Sequence, residues 1–284
     1  MKKISLDKGT VYLHELEEIH PGGNKYYKLK YNLALAKTKG LNTLISFGGA
    51  WSNHLYALAK VGKDQGFSTI GIVRGERPIT LSAMLSDAET LGMRLVFVSR
   101  SEFRQKETPA FRQWLVGQFG DFYLIPEGGT NPLAVKGCEE IVDSLSEESF
   151  DLLCLPVGTG GTIAGIARGL LPTESAPAMV MGFSVLKGAI NLDDVVSTLI
   201  NNPTNNNWSI NHQYHCGGYA KCPDFLKTFI LEVEAQNDVK LDPVYTAKMI
   251  FGIDQLLKEG LIDSKQKIIA LHTGGLQGRR GFNF

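Results

Sequence analysis

The stretch HPGGNKYYKLKYNLALAKTKG, residues 20–40, sets Lys25, Lys28 and Lys30 within six positions of one another. At about 3.6 residues per turn, the part after Asn24 fits a helix whose apolar stripe holds Leu29, Leu33 and Ala36. Lys25 falls about 40° from Leu29 on that stripe, whereas Lys28 and Lys30 fall about 90° or more to either side of its centre. A lysine turned toward a core must find a partner, lose its proton or be used covalently. The plain alternative is that Lys25 lays its stem along the helix start and keeps its ammonium in water.

Two further stretches suit anions. In LLCLPVGTGGTIAGIARGL an apolar run leads into Gly158, Thr159, Gly160, Gly161 and Thr162 and then a helical pattern. In such a turn, free backbone N–H groups and the helix dipole receive a phosphate. A dinucleotide fingerprint would need glycine where Ile163 stands, and no Gly-Lys-Ser/Thr ending follows, so neither a nicotinamide nor a nucleoside triphosphate is the natural guest. ISFGGAWSNHLYALAKVG repeats the arrangement, with Ser52, Asn53 and His54 at a helix start. These residues read either as a helix cap or as a site for a carboxylate. His54 has no carboxylate neighbour in sequence and reads most simply as a structural histidine.

A core-facing lysine, a phosphate cradle and a carboxylate site together describe a cofactor with an aldehyde and a phosphate acting on an amino acid. Pyridoxal 5'-phosphate is such a cofactor: it forms a Schiff base with lysine and serves as an electron sink. A free lysine titrates near 10.4, so burial is what would make Lys25 usable near neutral pH.

The composition agrees with a small-molecule enzyme. The chain has 284 residues, 43% of them hydrophobic, enough for one large or two medium domains. Lys+Arg and Asp+Glu are both 29, so no global basic footprint points to nucleic acid or an acidic membrane. No apolar run approaches the roughly 18 residues of a membrane span, and the expected location is cytoplasmic. Cys138 and Cys154 sit among apolar residues like core thiols. His212, His215, Cys216 and Cys222 match no standard zinc spacing, so no metal is expected.

Short apolar runs (TLISFG, TIGIVR, RLVFVS, FYLIPEGG, DLLCLPVG, AMVMGFS, KIIALHTGG) alternate with helical patterns, which predicts parallel α/β sheets. Several runs end in glycine, where an open parallel sheet binds its ligand. NNPTNNNWS, residues 201–209, reads as a polar surface loop.

Taken together, GGNKYYKLKY, FGGAWSNH, GTGGTIAG, LDPVYTAKMIFGIDQLLKEG and LHTGG resemble the 1-aminocyclopropane-1-carboxylate deaminase and D-cysteine desulfhydrase family, in the family's order and over nearly the whole chain. The resemblance implies a fold-type-II pyridoxal-phosphate enzyme, commonly a homodimer, with the cofactor between two open parallel-sheet α/β domains. The larger domain is expected to take residues 1–38 and 126–284, and the smaller 39–125. By motif, Lys25 resembles the Schiff-base lysine, Asn53 the partner of the ring hydroxyl, Ser52 a hydroxyl that handles substrate protons, and 158–162 the phosphate cup. Tyr245 and Tyr219 resemble the tyrosines over the cofactor ring and substrate; on the residues alone they read as a helix-start core residue and a loop aromatic. His54 and Thr273 are grouped with the substrate contacts.

Thr246 stands where the deaminase branch has glutamate and Thr273 where it has leucine, as in the desulfhydrase branch. The segment before GGNK is short for the family. The expected activity is β-elimination from D-cysteine or a related D-amino acid to pyruvate, ammonia and sulfide, with cyclopropane ring opening as the alternative. A nicotinamide-dependent oxidoreductase and a non-catalytic binder of a phosphate ligand are the readings from other classes.

Overall fold

The computed structural model describes residues 1–170, 178–282 and 284. The strands form two sheets. The larger contains β1 (Lys2–Leu6), β2 (Gly9–Glu15), β7 (Leu152–Val157), β8 (Met179–Ser184), β9 (Trp208–Asn211) and β10 (Ile268–His272), in the spatial order β1-β2-β10-β7-β8-β9. The smaller contains β3 (Thr43–Gly48), β4 (Ser68–Arg74), β5 (Arg94–Val98) and β6 (Tyr123–Leu124), ordered β5-β4-β3-β6. Every residue of β7 and of β10 is buried, as expected for parallel strands covered on both faces.

The helices are α1 (Leu16–Ile19), α2 (Asn24–Thr38), α3 (Asn53–Gln65), α4 (Ala83–Thr90), α5 (Arg100–Phe103), α6 (Pro109–Phe119), α7 (Pro132–Glu139), α8 (Gly161–Gly169), α9 (Leu192–Ile200), α10 (Asp224–Gln236) and α11 (Thr246–Lys258). The strand and helix alternation read from the sequence is present, with two corrections. Not every pairing is parallel, because β1 and β2 form an antiparallel hairpin at the sheet edge. The segment 201–209 is not wholly a surface loop. Asn207 is buried, its amide donating to the carbonyls of Ala167 and Leu170, and Trp208 and Ser209 open β9. The asparagines that read as loop composition instead tie off the end of α8.

Helix α2 departs from a simple amphipathic reading. Tyr27 packs into the cluster of Leu16, Val135, Cys138 and Ile163, while Leu29, Leu33 and Ala36 pack into that of Leu44, Leu55 and Leu58. Burial on two sides leaves the helix without one apolar face. Lys28, expected off the stripe, is 2% exposed. It lies three residues from Lys25, and side chains at that spacing share a helix face.

Glycines let the helices around α2 approach backbone to backbone. A Cβ on Gly137 of α7 would lie 2.0 Å from the Tyr27 carbonyl oxygen, and one on Gly165 of α8 would lie 2.4 Å from Cys138 Cβ. Neither neighbour can move without shifting a helix. Gly117, inside α6, has open space around the same position. We therefore expect Gly137→Ala to destabilise the protein by about 1–3 kcal/mol through overpacking. Gly117→Ala should stabilise it by roughly 0.5–1 kcal/mol through helix propensity. Denaturant unfolding of the two variants beside the parent checks both signs.

Candidate active site

The carboxyl ends of β3, β4 and β7, the loop after β10 and the start of α2 enclose a cavity of about 310 Å³. Lys25, Ser52, Asn53, His54, Gly158, Thr159, Gly160, Thr162, Tyr219, Tyr245 and Thr273 all line it. Residues spread over most of the chain thus meet in one place. Two expected members do not reach the lining. Gly161 sits just behind it, where an added Cβ would meet Thr130 Oγ1 at 2.9 Å and Lys28 Nζ at 3.2 Å. Thr246 is fully buried at the start of α11, and its Oγ1 has no hydrogen-bond partner.

The start of α2 is fixed by the loop after β10. The Asn24 amide donates to the Thr273 carbonyl over 3.2 Å, and a Cβ on Gly23 would lie 2.4 Å from the same oxygen. Gly23 has φ +56°, a conformation L side chains rarely adopt, so the GGNK turn needs glycine there for both reasons. Asn24 also donates from Nδ2 to Thr162 Oγ1 over 2.9 Å, joining the lysine-bearing turn to the glycine loop. Gly160 has φ +82°, and a Cβ there would meet Val196 Cγ2 at 2.6 Å. The loop therefore turns tightly into α8 with free N–H groups at the helix start.

Two lysines meet at this corner. Lys25 faces the cavity, and burial together with the charge of Lys28 lowers its pKa to about 7. Burial lowers that of Lys28 to about 8. The Lys28 ammonium donates to the Gly128 carbonyl and Thr130 Oγ1, each at 3.0 Å, and to Thr159 Oγ1 at 3.4 Å. Among the described residues, no carboxylate pairs with either lysine. Lys30, by contrast, lies on the surface in an ion pair with Glu140.

Across the cavity, Ser52 caps α3, its hydroxyl accepting from the Leu55 amide at 3.2 Å, and Asn53 packs against the Gly275 backbone. His54 is buried with Nε2 2.8 Å from Ser46 Oγ, and Ser46 also donates to the Pro126 carbonyl. That arrangement makes Nε2 the donor and leaves Nδ1, which has no partner, as a bare acceptor. Burial and the two lysines hold the His54 pKa well below the usual histidine range.

Tyr219 and Tyr245 meet edge to face with ring centroids 6.2 Å apart, and burial raises both phenols above their ordinary value. The backbone N–H of Tyr245 donates to Asp242 Oδ2 at 2.6 Å. Asp242 is itself buried, and its pKa is pushed up to about 7 by that burial. Sequence reasoning missed Asn24, Lys28, Arg74 and Glu127 as cavity residues. Lys28 and Asn24 were signalled by their place on the same turn as Lys25; Arg74 and Glu127 carried no local signal. The residues weighed for zinc go elsewhere. His212 pairs with Asp193, His215 Nδ1 accepts from the Gly217 amide, and Cys216 donates to the Tyr214 carbonyl.

The profile described as "Pyridoxal-phosphate dependent enzyme" matches residues 5–274. The chain belongs to that family. It is 31% identical to a putative 1-aminocyclopropane-1-carboxylate deaminase of Thermotoga maritima, covering 98% of this chain and 93% of that one. It is 29% identical to the bifunctional D-cysteine desulfhydrase/1-aminocyclopropane-1-carboxylate deaminase of Arabidopsis thaliana, over 90% and 69%. The crystal structure of an ACC deaminase homologue superposes with a TM-score of 0.80 at 27% identity, covering 95% of this chain and 86% of that one. This is a pyridoxal-phosphate enzyme of fold type II.

The residues present fit that cofactor. The glycine loop and Lys28 supply donors and positive charge for a phosphate, and Lys25 supplies an amine partly deprotonated near neutral pH for the aldehyde. Two lysines at one corner, without a carboxylate partner among the described residues, are what an anionic guest would neutralise.

In the cofactor-free protein these lysines set a pH dependence. Lys25 and Lys28, and likewise the buried Lys248 with a pKa lowered to about 8, hold fewer protons folded than unfolded above pH 7. Stability therefore rises with pH there. Asp242, raised to about 7, acts in the opposite direction as pH rises through that value and fades above it, and thiols raised by burial, such as Cys138 at about 11, begin to act only as pH nears the ordinary thiol value of about 9. We expect unfolding free energy to increase from pH 7 to 8.5, and the increase to shrink in the Lys25→Met, Lys28→Met double variant. Denaturant titrations at both pH values test this.

Proposed function

We propose that the protein is a pyridoxal-phosphate-dependent lyase that eliminates the β substituent of D-cysteine or a related β-substituted D-amino acid, releasing pyruvate, ammonia and, from cysteine, sulfide. The observation that carries the reading is the pairing of Lys25, with its pKa lowered to about 7, and Ser52 across one cavity whose Thr273 wall offers a hydroxyl where a deaminase-like chain would have leucine. When bound, the cofactor supplies the aldehyde and an electron sink.

In this reading Gly158, Thr159, Gly160, Gly161 and Thr162 hold the phosphate with Lys28, and Asn53 meets the ring hydroxyl. Ser52 and the first amides of α3 take the substrate carboxylate. Lys25 accepts the α-proton, since a group with pKa about 7 is matched to that task near neutral pH. Tyr245 and Tyr219, with raised pKa values, stay protonated and serve as covers and hydrogen-bond donors. Thr273 offers a neutral hydroxyl at the cavity wall, and Thr246, buried outside the lining, brings no carboxylate there, which would suffice for a good leaving group. The larger unit is proposed to take residues 1–38 and 126–284 and the smaller 39–125, which agrees with the strands of the four-stranded sheet all lying between Thr43 and Leu124. The homodimer and the cytoplasmic location belong to the same proposal.

Ring opening of 1-aminocyclopropane-1-carboxylate is the second reading, favoured by the names of the relatives. It should lean harder on the electron sink than expulsion of a thiol does, and a carboxylate beside the ring nitrogen would strengthen that sink. A screen of pyruvate and sulfide release over D- and L-cysteine separates elimination from the production of 2-oxobutanoate from the cyclopropane substrate. The parent should favour D-cysteine, and Thr246→Glu with Thr273→Leu should shift the ratio of the two activities toward ring opening by about tenfold or more. A parent that prefers the cyclopropane substrate would sink the elimination reading.

Borohydride should fix the cofactor to the peptide that contains Lys25, and Lys25→Ala should lower turnover by at least about a thousandfold. Label on Lys28 instead would reverse the roles assigned to the two lysines. Mass spectrometry of the digested protein decides between them.

A further inference from the structure

One cationic side chain of the cavity has no task in this reaction. Arg74 ends β4, lines the cavity and is exposed at its rim. Its Nη2 lies 3.7 Å, and Tyr219 Cε1 3.9 Å, from the point where a Cβ on Gly49 would stand. The guanidinium and the Tyr219 ring therefore border one spot beside the turn in which the Ser52 amide donates to the Gly49 carbonyl. Among the described residues Arg74 makes no ion pair and no hydrogen bond. Its guanidinium carbon lies 5.9 Å from the Phe103 ring centroid. Glu127, also on the cavity wall, is taken by Lys106 at 3.3 Å.

Charge matching then singles Arg74 out. The phosphate is assigned to Lys28 and the glycine loop, the aldehyde to Lys25, and the α-carboxylate to the start of α3. A third cationic side chain, at the cavity mouth and with its flat fork of donors unused, suits a second anion on the substrate.

We propose that Arg74 selects amino acids whose β substituent ends in a carboxylate. This rests on the elimination reading and names its substrate class: thioether amino acids with an acidic tail. For such a substrate Lys25 takes the α-proton, the electron pair of the Cα–H bond becomes the Cα=Cβ bond, and the Cβ–S bond breaks with its pair on sulfur, which takes up a proton to leave as a mercapto acid. The three-carbon enamine left behind tautomerises and adds water, giving pyruvate and ammonium. No oxidant or reductant enters.

The test uses the holoenzyme and a pair of probes of nearly equal shape, S-carboxymethylcysteine and its neutral amide S-carbamoylmethylcysteine, each as D and L enantiomers. The parent should favour the acid over the amide by about tenfold or more in kcat/KM, mainly through KM. Arg74→Gln should bring the ratio near one, and Arg74→Lys should keep part of it. Equal use of acid and amide by the parent, or a preference unchanged in Arg74→Gln, overturns the proposal.

Release of pyruvate from β-chloroalanine by the parent reports separately on the elimination reading. If that release is absent, calorimetric titration of the same acid and amide into parent and Arg74→Gln decides the proposal by the ratio of Kd values. A ratio near one in the parent rejects it, and a preference for the acid that Arg74→Gln removes sustains Arg74 as the recognising group. A thermal unfolding midpoint equal to the parent's guards against reading misfolding as lost selectivity.

Discussion

Two lysines at one corner, Lys28 buried and Lys25 half-buried on the cavity wall, with no carboxylate among the described residues to pair them, are the constraint around which the rest of this structure is arranged. Burying a charge is costly unless it is paired or neutralised. The response here is divided between the two side chains. Lys28 keeps three oxygen partners, Gly128, Thr130 and Thr159, whereas Lys25 has none among the described residues and carries the larger fall in pKa. The elements that hold this corner, α2, α7 and α8, meet through glycines too close to admit a Cβ. The same packing that stabilises the fold thus keeps two cations at the mouth of a phosphate-sized turn.

Much of this was legible in the sequence, for physical reasons that can be named. Continuous apolar runs such as those of β7 and β10 are legible because parallel strands are covered on both faces. The glycine turns are legible because strand ends in such sheets must let a ligand approach backbone, as Gly160 does at φ +82°. Lys28 was misjudged because the count of helix faces assumed a single buried stripe, and α2 is covered from two sides. The hairpin of β1 and β2 was missed because MKKISLDKGT carries charges on its exposed positions and only Ile4 fully inward. Asn207 was read as loop because its side chain satisfies carbonyls on a distant helix end, which no local pattern reports.

Site residues supplied by long connections were the least legible. Arg74 is a strand-end residue whose meaning depends on Gly49 and Tyr219, and these lie far away in sequence. Tyr219 stands in a loop with three neighbours in the left-handed region, Gly217, Gly218 and Ala220, and that loop is tied down by Lys248, which donates to the Gly218 carbonyl over 2.6 Å. A non-glycine residue such as Ala220 at φ +55° costs roughly 1–2 kcal/mol and is held only by its surroundings. The residues alone mark Tyr219 as a loop aromatic, but give no sign of the Lys248 anchor or of the strained Ala220 that fix the loop over the cavity.

The directions of the pKa shifts divide the labour among the cavity side chains. Burial moves phenols and amines in opposite senses, since it disfavours whichever form is charged. Tyr219 and Tyr245 are thereby kept as proton donors, His54 is kept neutral, and Lys25 is brought into the range where it can both give and take a proton near neutral pH. A carboxylate placed beside Lys25 would undo this by restoring its proton. The lack of such a partner among the described residues is therefore part of what makes the corner reactive: the one physical cost, an unneutralised buried amine, is also the source of a base.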